Sequence, residues 1–480
     1  MRRRRFAVSL ALLLAARGAA LSVQESPPGP KTSPLPEPVL TIGEALRRAL
    51  ARNPDLLNVA DSVRSTLVNE GAVRSTFLPQ VTPFLTRARV DDTGSLSESY
   101  GFSFSEQLPF GPLLEGHARL DRFPDVAAAL AYGSDYRLTL TQPLLGGADP
   151  AVTREPLRQA RRATLTQTRG FEIARRRTIL LVYQLYLGVA EQRDVLQLQE
   201  ERAGRAKELT EFSRARFAAG MVSKLDIYRA EQQEAGAVVA LTDARDSLED
   251  LRDSLRRTLD LPTELPVTLE RVTELPRSEL PLEEAIHGVA SRRPEAAEAA
   301  DQVRDVEFAV RIGKSLELPA VQGVVGYQSI GTGSSAGDAL RSRNPTFLWG
   351  FSTQYGLNSA VLRARRRQAE IDLGVRRRNL DVLLEDLVRE VRHAYRRLAA
   401  AQKNHETAAQ NERVAELQAE VARLRYQKGL SDNFNVVDAE NLLNSARLLE
   451  IDSRIQILLA RLDCLYASGD FDPRPFMEQR

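Results

Sequence analysis

Only one cysteine occurs in the 480 residues, Cys464, so no disulfide can close within the chain. It also stands far from the N-terminus, so the thiol that a lipid anchor beside a signal cleavage site would need is missing. The four histidines, His117, His287, His393 and His405, are scattered without the paired spacing of a zinc site, and no metal is expected. No serine stands in Gly-x-Ser-x-Gly, and Gly331-Thr332-Gly333 with Gly337 lacks the Lys-Ser/Thr ending of a phosphate loop. Neither an enzyme nor a cofactor is expected. An excess of either charge is lacking too: 66 Lys+Arg face 64 Asp+Glu, which gives no field for nucleic acid. Arginine runs such as Arg161-Arg162, 175–177 and 376–378 read as solvated helix faces. Beyond the first 20 residues no apolar run approaches the roughly 20 residues of a membrane-spanning helix. Membrane insertion, if any, has to use strands.

Several features are present in their place. Four arginines at 2–5, an apolar run at 6–16 and small residues Gly18 and Ala20 read as a secretory signal over 1–20. Six prolines between Gln24 and Pro38 make 21–39 a disordered leader. The remainder repeats itself. Glu44-Ala45-Leu46 with Asn53-Pro54-Asp55 is answered by Glu284-Ala285-Ile286 with Arg293-Pro294-Glu295, and Leu78-Pro79 by Leu318-Pro319, all 240 residues on. Phe217-Ala218-Ala219-Gly220 is answered by Tyr426-Gln427-Lys428-Gly429 at an offset of 209. The difference, 240 − 209 = 31, is an insertion in the first half, expected near residues 111–134 as either a further strand pair or a long loop. The repeats are placed at 40–280 and 281–470, with a tail at 471–480.

Within each repeat, Ala- and charge-rich segments after Pro54 and Pro294 read as helices ending at Leu-Pro. Alternating segments follow in 80–143 and 320–356: Tyr100, Phe102 and Phe104; Tyr136, Leu138 and Leu140; Phe347, Trp349 and Phe351. Period two with one apolar and one small or polar face predicts half-buried strands, fitting a soluble sandwich or a membrane barrel. Such strands are too few for a sandwich but can be pooled between subunits. From 150 to 260 and from 358 to 468 apolar residues step by seven, as in Val182, Val189, Leu196, Ala203 and in Leu380, Leu387, Ala394, Ala401, Ala408. Each repeat therefore predicts an antiparallel coiled-coil hairpin that turns at Gly220 or Gly429, with arms of about 65 residues and roughly 100 Å.

In order and in duplicate, these motifs resemble the TolC-like outer-membrane efflux protein family from Leu40 to about Asp470. The carriers are residues 40–46 (Leu-Thr-Ile-Gly-Glu-Ala-Leu), Asn53-Pro54, the Leu-Pro before each strand region, Thr141-Gln142-Pro143-Leu144-Leu145, and the doubled tip. The resemblance implies a mainly α fold with transmembrane β: a homotrimer in which four strands per chain form a twelve-stranded barrel in outer-membrane lipid, joined to a periplasmic α-barrel. It implies a passive channel that works with a periplasmic adaptor and an inner-membrane RND or ABC transporter, in efflux or type I secretion. The alternative is a periplasmic coiled-coil adaptor or spacer without a pore. Carried over by motif, Asp226 and Tyr426 fall at a periplasmic gate, with Ser431 where a basic partner is expected. Asp226 also reads as a helix N-terminal carboxylate. Ala219, Gly220, Met221, Lys428, Gly429 and Leu430 form the tips where an adaptor would dock, and the glycines equally fit helix C-caps. Phe347, Trp349 and Phe351 are candidates for a membrane-interface girdle or for core aromatics.

Overall fold

The computed structural model describes residues 39–89, 96–124, 131–265, 268–270, 280–341, 344–354 and 360–471. The expected signal, the leader up to residue 38 and the tail from residue 472 lie outside the described residues. Val39, assigned by sequence to the leader, instead begins strand β1 (Val39–Leu40).

The repeated motifs are helix starts. Helix α1 (Ile42–Arg52) is held by a capping box, in which the Thr41 hydroxyl accepts from the Glu44 N–H and the Glu44 carboxylate accepts from the Thr41 N–H. Asn53 caps α2 (Pro54–Ser75) by accepting the Leu56 N–H at 3.0 Å, and its amide donates to the Thr258 carbonyl at 3.0 Å. In the second repeat, α5 (Leu282–Arg292) and α6 (Pro294–Leu316) keep the proline at the first turn. There Arg293 replaces the asparagine and donates to the Tyr466 carbonyl at 3.0 Å and to Glu390 at 3.2 Å.

The hairpins exist, with unequal arms. Helices α3 (Pro150–Ala218) and α8 (Ala360–Gln427) have 69 and 68 residues, whereas their partners α4 (Lys224–Thr258) and α9 (Asn433–Ser468) have 35 and 36. Only one arm of each pair is therefore about 100 Å long. The sheet-proximal stretch of each long arm is covered instead by α2 or α6. The seven-residue stripe is the seam: Val182, Val189, Ala230, Ala237, Leu387, Ala394, Ala408, Ile455 and Leu462 are buried, and Leu196, Ala203, Ala401 and Leu448 are half-buried. A separate core gathers midway along the hairpins, where Leu46 and Ala49 of α1 meet Val182, Tyr183, Tyr186 and Leu187 of α3, Leu255 of α4 and Leu462 of α9. The buried Tyr186 hydroxyl is placed 2.9 Å from the Leu40 carbonyl and 2.8 Å from that of Glu270, so it ties β1 to its parallel partner β6 (Thr268–Leu269).

The sheet departs from the expected four strands. Among the described residues it has six, all antiparallel: β2 (Gln80–Arg89), β3 (Leu96–Gln107), β4 (Leu113–Arg122) and β5 (Tyr132–Pro143) from the first repeat, then β7 (Ala320–Gly333) and β8 (Asn344–Gln354) from the second. Their spatial order is β2-β3-β4-β5-β7-β8. By position, β2 answers β7 and β5 answers β8, so the insertion is the pair β3 and β4. A short helix α7 (Ala336–Arg341) lies between β7 and β8. Among the described residues, no helix is long and apolar enough to cross a membrane.

Candidate functional site

The two tips share one construction. Gly220 and Gly429 adopt φ of +66° and +73°, and the N–H groups of Met221 and Leu430 return to the carbonyls of Arg216 and Arg425, each at 2.9 Å. This closes both long helices with the same six-to-one bond. Ala219, Gly220, Met221, Lys428, Gly429 and Leu430 are all exposed, as are the nearby Leu225 and Phe434, so the tips present apolar side chains to solvent.

The candidate gate residues lie behind these turns. Asp226 is 8% exposed, and its carboxylate accepts from the Ser223 N–H at 3.0 Å and the Ser223 hydroxyl at 2.9 Å, which fixes the start of α4. Tyr426 is 2% exposed, with its hydroxyl 3.2 Å from that of Ser213 and its ring edge-on to Phe212 at 5.7 Å. Asp226 and Tyr426 share no described hydrogen bond within one chain. Ser431 accepts from the Asn435 amide at 2.9 Å.

Two side chains instead lock the tips to each other. From the first hairpin, Arg216 donates to the Tyr426 carbonyl at 2.7 Å and holds its guanidinium 5.0 Å from the Tyr426 ring centre. From the second, the fully buried Asn433 donates to the Asp226 carbonyl at 2.9 Å. Sequence reading did not single out Asn433, since its partner is a backbone carbonyl 207 positions away. Above this lock, Arg202, Arg205, Phe212, Arg423 and Val436 help line a cavity of about 320 Å³ between the hairpins, with Glu440 bonded to both Arg205 and Arg423.

At the opposite end, the strand register sorts the sheet into two chemistries, because directly opposed residues share a face. One row reads Val81, Phe104, Gly116, Leu138, Tyr327, Phe347, and the next Glu106, Leu114, Leu140, Val325, Trp349. Phe347, Trp349 and Phe351 lie on this face and are 77%, 78% and 76% exposed, which excludes a role as core aromatics within one chain. Towards the end away from the helices, the same face turns polar at Glu98, which pairs with Arg87 at 3.2 Å and Arg122 at 3.1 Å. Glu106 lies eight positions beyond Glu98 on β3, about 27 Å along the strand or about 21 Å of height at a tilt of about 40°, comparable to the ~25 Å apolar band of outer-membrane barrels. The opposite face carries rows such as Thr82, Ser103, His117, Arg137, Gln328, Thr346. Polar groups on it partner one another: Arg119 lies 3.0 Å from Asp121, His117 3.0 Å from Asp135, and Gln328 donates to Asp135 at 3.0 Å.

No curated protein sequence matches the chain. Solved structures match along almost its whole length. The outer membrane protein VceC of Vibrio cholerae superposes with a TM-score of 0.70 at 15% identity, over 89% of this chain and 96% of that one. The Campylobacter jejuni CmeC outer membrane channel gives 0.69 at 16%, over 92% and 87%. The open state of the Neisseria gonorrhoeae MtrE outer membrane channel gives 0.65 at 16%, over 89% and 88%. The family model of outer membrane efflux proteins matches residues 285–468. The second repeat thus matches the model of the outer membrane efflux protein family, and the fold of the solved channels extends through the first repeat as well.

Proposed function

We propose that the chain is one of three identical staves of an outer-membrane channel, which passively conducts cargo received from an inner-membrane RND or ABC transporter through a periplasmic adaptor. The observation that carries this reading is the two-faced sheet. A face holding Trp349 at 78% exposure beside Phe347 and Phe351 would be costly in water and is stabilised in lipid, while the charged face suits a water-filled lumen. The sheet edges support pooling between copies, and the long, half-covered helices support a surrounding ring of further hairpins. Phe347, Trp349 and Phe351 then form part of the membrane-facing aromatic belt. No catalytic step is required of such a channel.

The exposed tips, with Met221 at 67% and Leu430 at 75%, suit docking of an adaptor's apolar helix ends. The gate is proposed to lie at the same level, with Asp226, Tyr426 and Ser431 contributed by each copy and Arg216, which donates to the Tyr426 carbonyl, as the proposed basic member. Asp226→Ala combined with Tyr426→Phe should raise the conductance of the closed channel in planar bilayers, and an unchanged conductance rules these residues out as the gate.

The test of the whole reading is outer-membrane fractionation followed by gel mobility with and without heating. A heat-modifiable trimer in the outer-membrane fraction is expected. A soluble periplasmic monomer overturns the channel and leaves the coiled-coil spacer.

A further inference from the structure

The inserted pair β3–β4 changes the barrel itself. We infer that the membrane barrel of this channel has eighteen strands, closed by pairing β2 of one copy with β8 of the next, instead of the twelve that the family resemblance implies. The inference rests on the trimeric channel reading and goes beyond it in size and in lumen chemistry.

Three observations carry it. First, β3 and β4 are integral to the sheet: β3 pairs with β2 over ten positions and β4 with β5 over ten, without a break in register. Their connecting turn is held at the helix end, where the Arg154 guanidinium donates to the Pro109 carbonyl at 2.8 Å. Neither strand can leave the sheet without stranding the backbone of a neighbour, which lipid cannot hydrogen-bond.

Second, the two free edges match. Strands β2 and β8 have 10 and 11 residues and run in opposite directions, since an even number of antiparallel strands separates the edges. A second copy of this chain is therefore the occupant that satisfies both edges, and three copies of six strands give eighteen.

Third, the widths agree. Four helices per copy, α2, α3, α6 and α8, run into the sheet. At 8–10 Å between axes they occupy about 36 Å of circumference. Six strands spaced about 4.8 Å apart and tilted about 40° occupy about 38 Å, whereas four occupy about 25 Å. The insertion thus makes the sheet as broad as the helices beneath it, and the closed cylinder would be about 36 Å across instead of about 24 Å. Each copy adds Glu115, His117, Arg119 and Asp121 of β4 to the lumen-side face.

Electron microscopy of the full-length protein in lipid nanodiscs counts the strands. Eighteen strands in a threefold barrel is the expected result. A trimer with twelve membrane strands and β3–β4 outside the barrel overturns the inference and leaves the channel reading intact, whereas the absence of a membrane-embedded trimer overturns both. As a second measurement, deleting residues 96–122 joins β2 to β5 in the way β7 is joined to β8. The barrel perimeter should then fall by a third, and an unchanged perimeter overturns the inference. Should the shortened chain not assemble, the count in the full-length protein still decides.

Discussion

Gly220 and Gly429 occupy the same left-handed conformation but not the same surroundings. A side chain at Gly220 meets open space, whereas at Gly429 its first carbon would sit 3.3 Å from the Arg216 guanidinium. Gly220→Ala should cost about 1 kcal/mol from backbone conformation alone, and Gly429→Ala more, because it also disturbs the Arg216 lock. Thermal unfolding followed by helical circular dichroism would rank the two, and equal losses would show that the lock contributes nothing there. Glu191, on the middle stretch of α3, allows a pH test. Burial, with Asp452 adding repulsion, pushes its carboxyl up from 4.5 to about 7. The folded chain therefore keeps a proton that the unfolded chain releases, and stability falls as pH rises from about 4.5 to 7. Glu191→Gln should raise the melting temperature at pH 8 and leave it nearly unchanged at pH 4. A residue's local role was often legible in sequence: Asp226 read as a helix N-terminal carboxylate, and both tip glycines as C-caps. The lock by Arg216 and Asn433 was not, because backbone carbonyls leave no mark on residue type and the contacts join positions more than 200 apart.

Among the elements, α3 and α6 are clamped by charge. Arg162 reaches Glu298 at 2.7 Å, Asp301 at 3.2 Å and Asp305 at 2.7 Å, and Arg169 reaches Asp301 at 2.6 Å. Burial opposes ionisation of Glu298 and Asp301, but the arginine hydrogen bonds outweigh it and hold both carboxyls below their usual range. Their contribution is present above the ordinary carboxylate pKa and is lost as pH falls through the depressed values. Arg162→Met should cost about 2 kcal/mol at pH 7, less than a fully buried pair because solvent screens part of it, and the difference should shrink in acid. In the seams, Ala230 and Ala237 are fully buried, so Ala237→Leu should destabilise by about 1–3 kcal/mol through overpacking. A melting temperature equal to the parent's would mean that the helices can separate there. The seven-residue stripe gave the seam directly, since each of its members is buried or half-buried. It could not reveal that α4 and α9 are half the length of their partners, because α2 and α6 continue the cover from elsewhere in the sequence. Strand β4 was hidden for another reason. Its residues on the face of Trp349 include Gly116 and Ala118, too small to make the alternation with His117, Arg119 and Asp121 plain.

For the assembled molecule, the two faces of β8 offer a paired test. Trp349→Arg replaces a belt aromatic on the proposed lipid side by a charge, at a cost of up to about 1 kcal/mol per copy near the membrane interface besides the lost aromatic contact, and should reduce the heat-modifiable trimer in outer-membrane fractions. Leu348→Arg, on the other face of the same strand and itself 60% exposed, should leave trimer yield unchanged. Equal loss from both would contradict the assignment of faces. The unequal halves also bear on symmetry. In the proposed trimer, two hairpins of nearly equal length per chain would approach sixfold order in the helical wall. Four strands from one repeat and two from the other would leave the proposed barrel with threefold order only. Cargo leaving the helical section would pass from six similar environments to three, with the charged residues of β4 repeating every 120° around it.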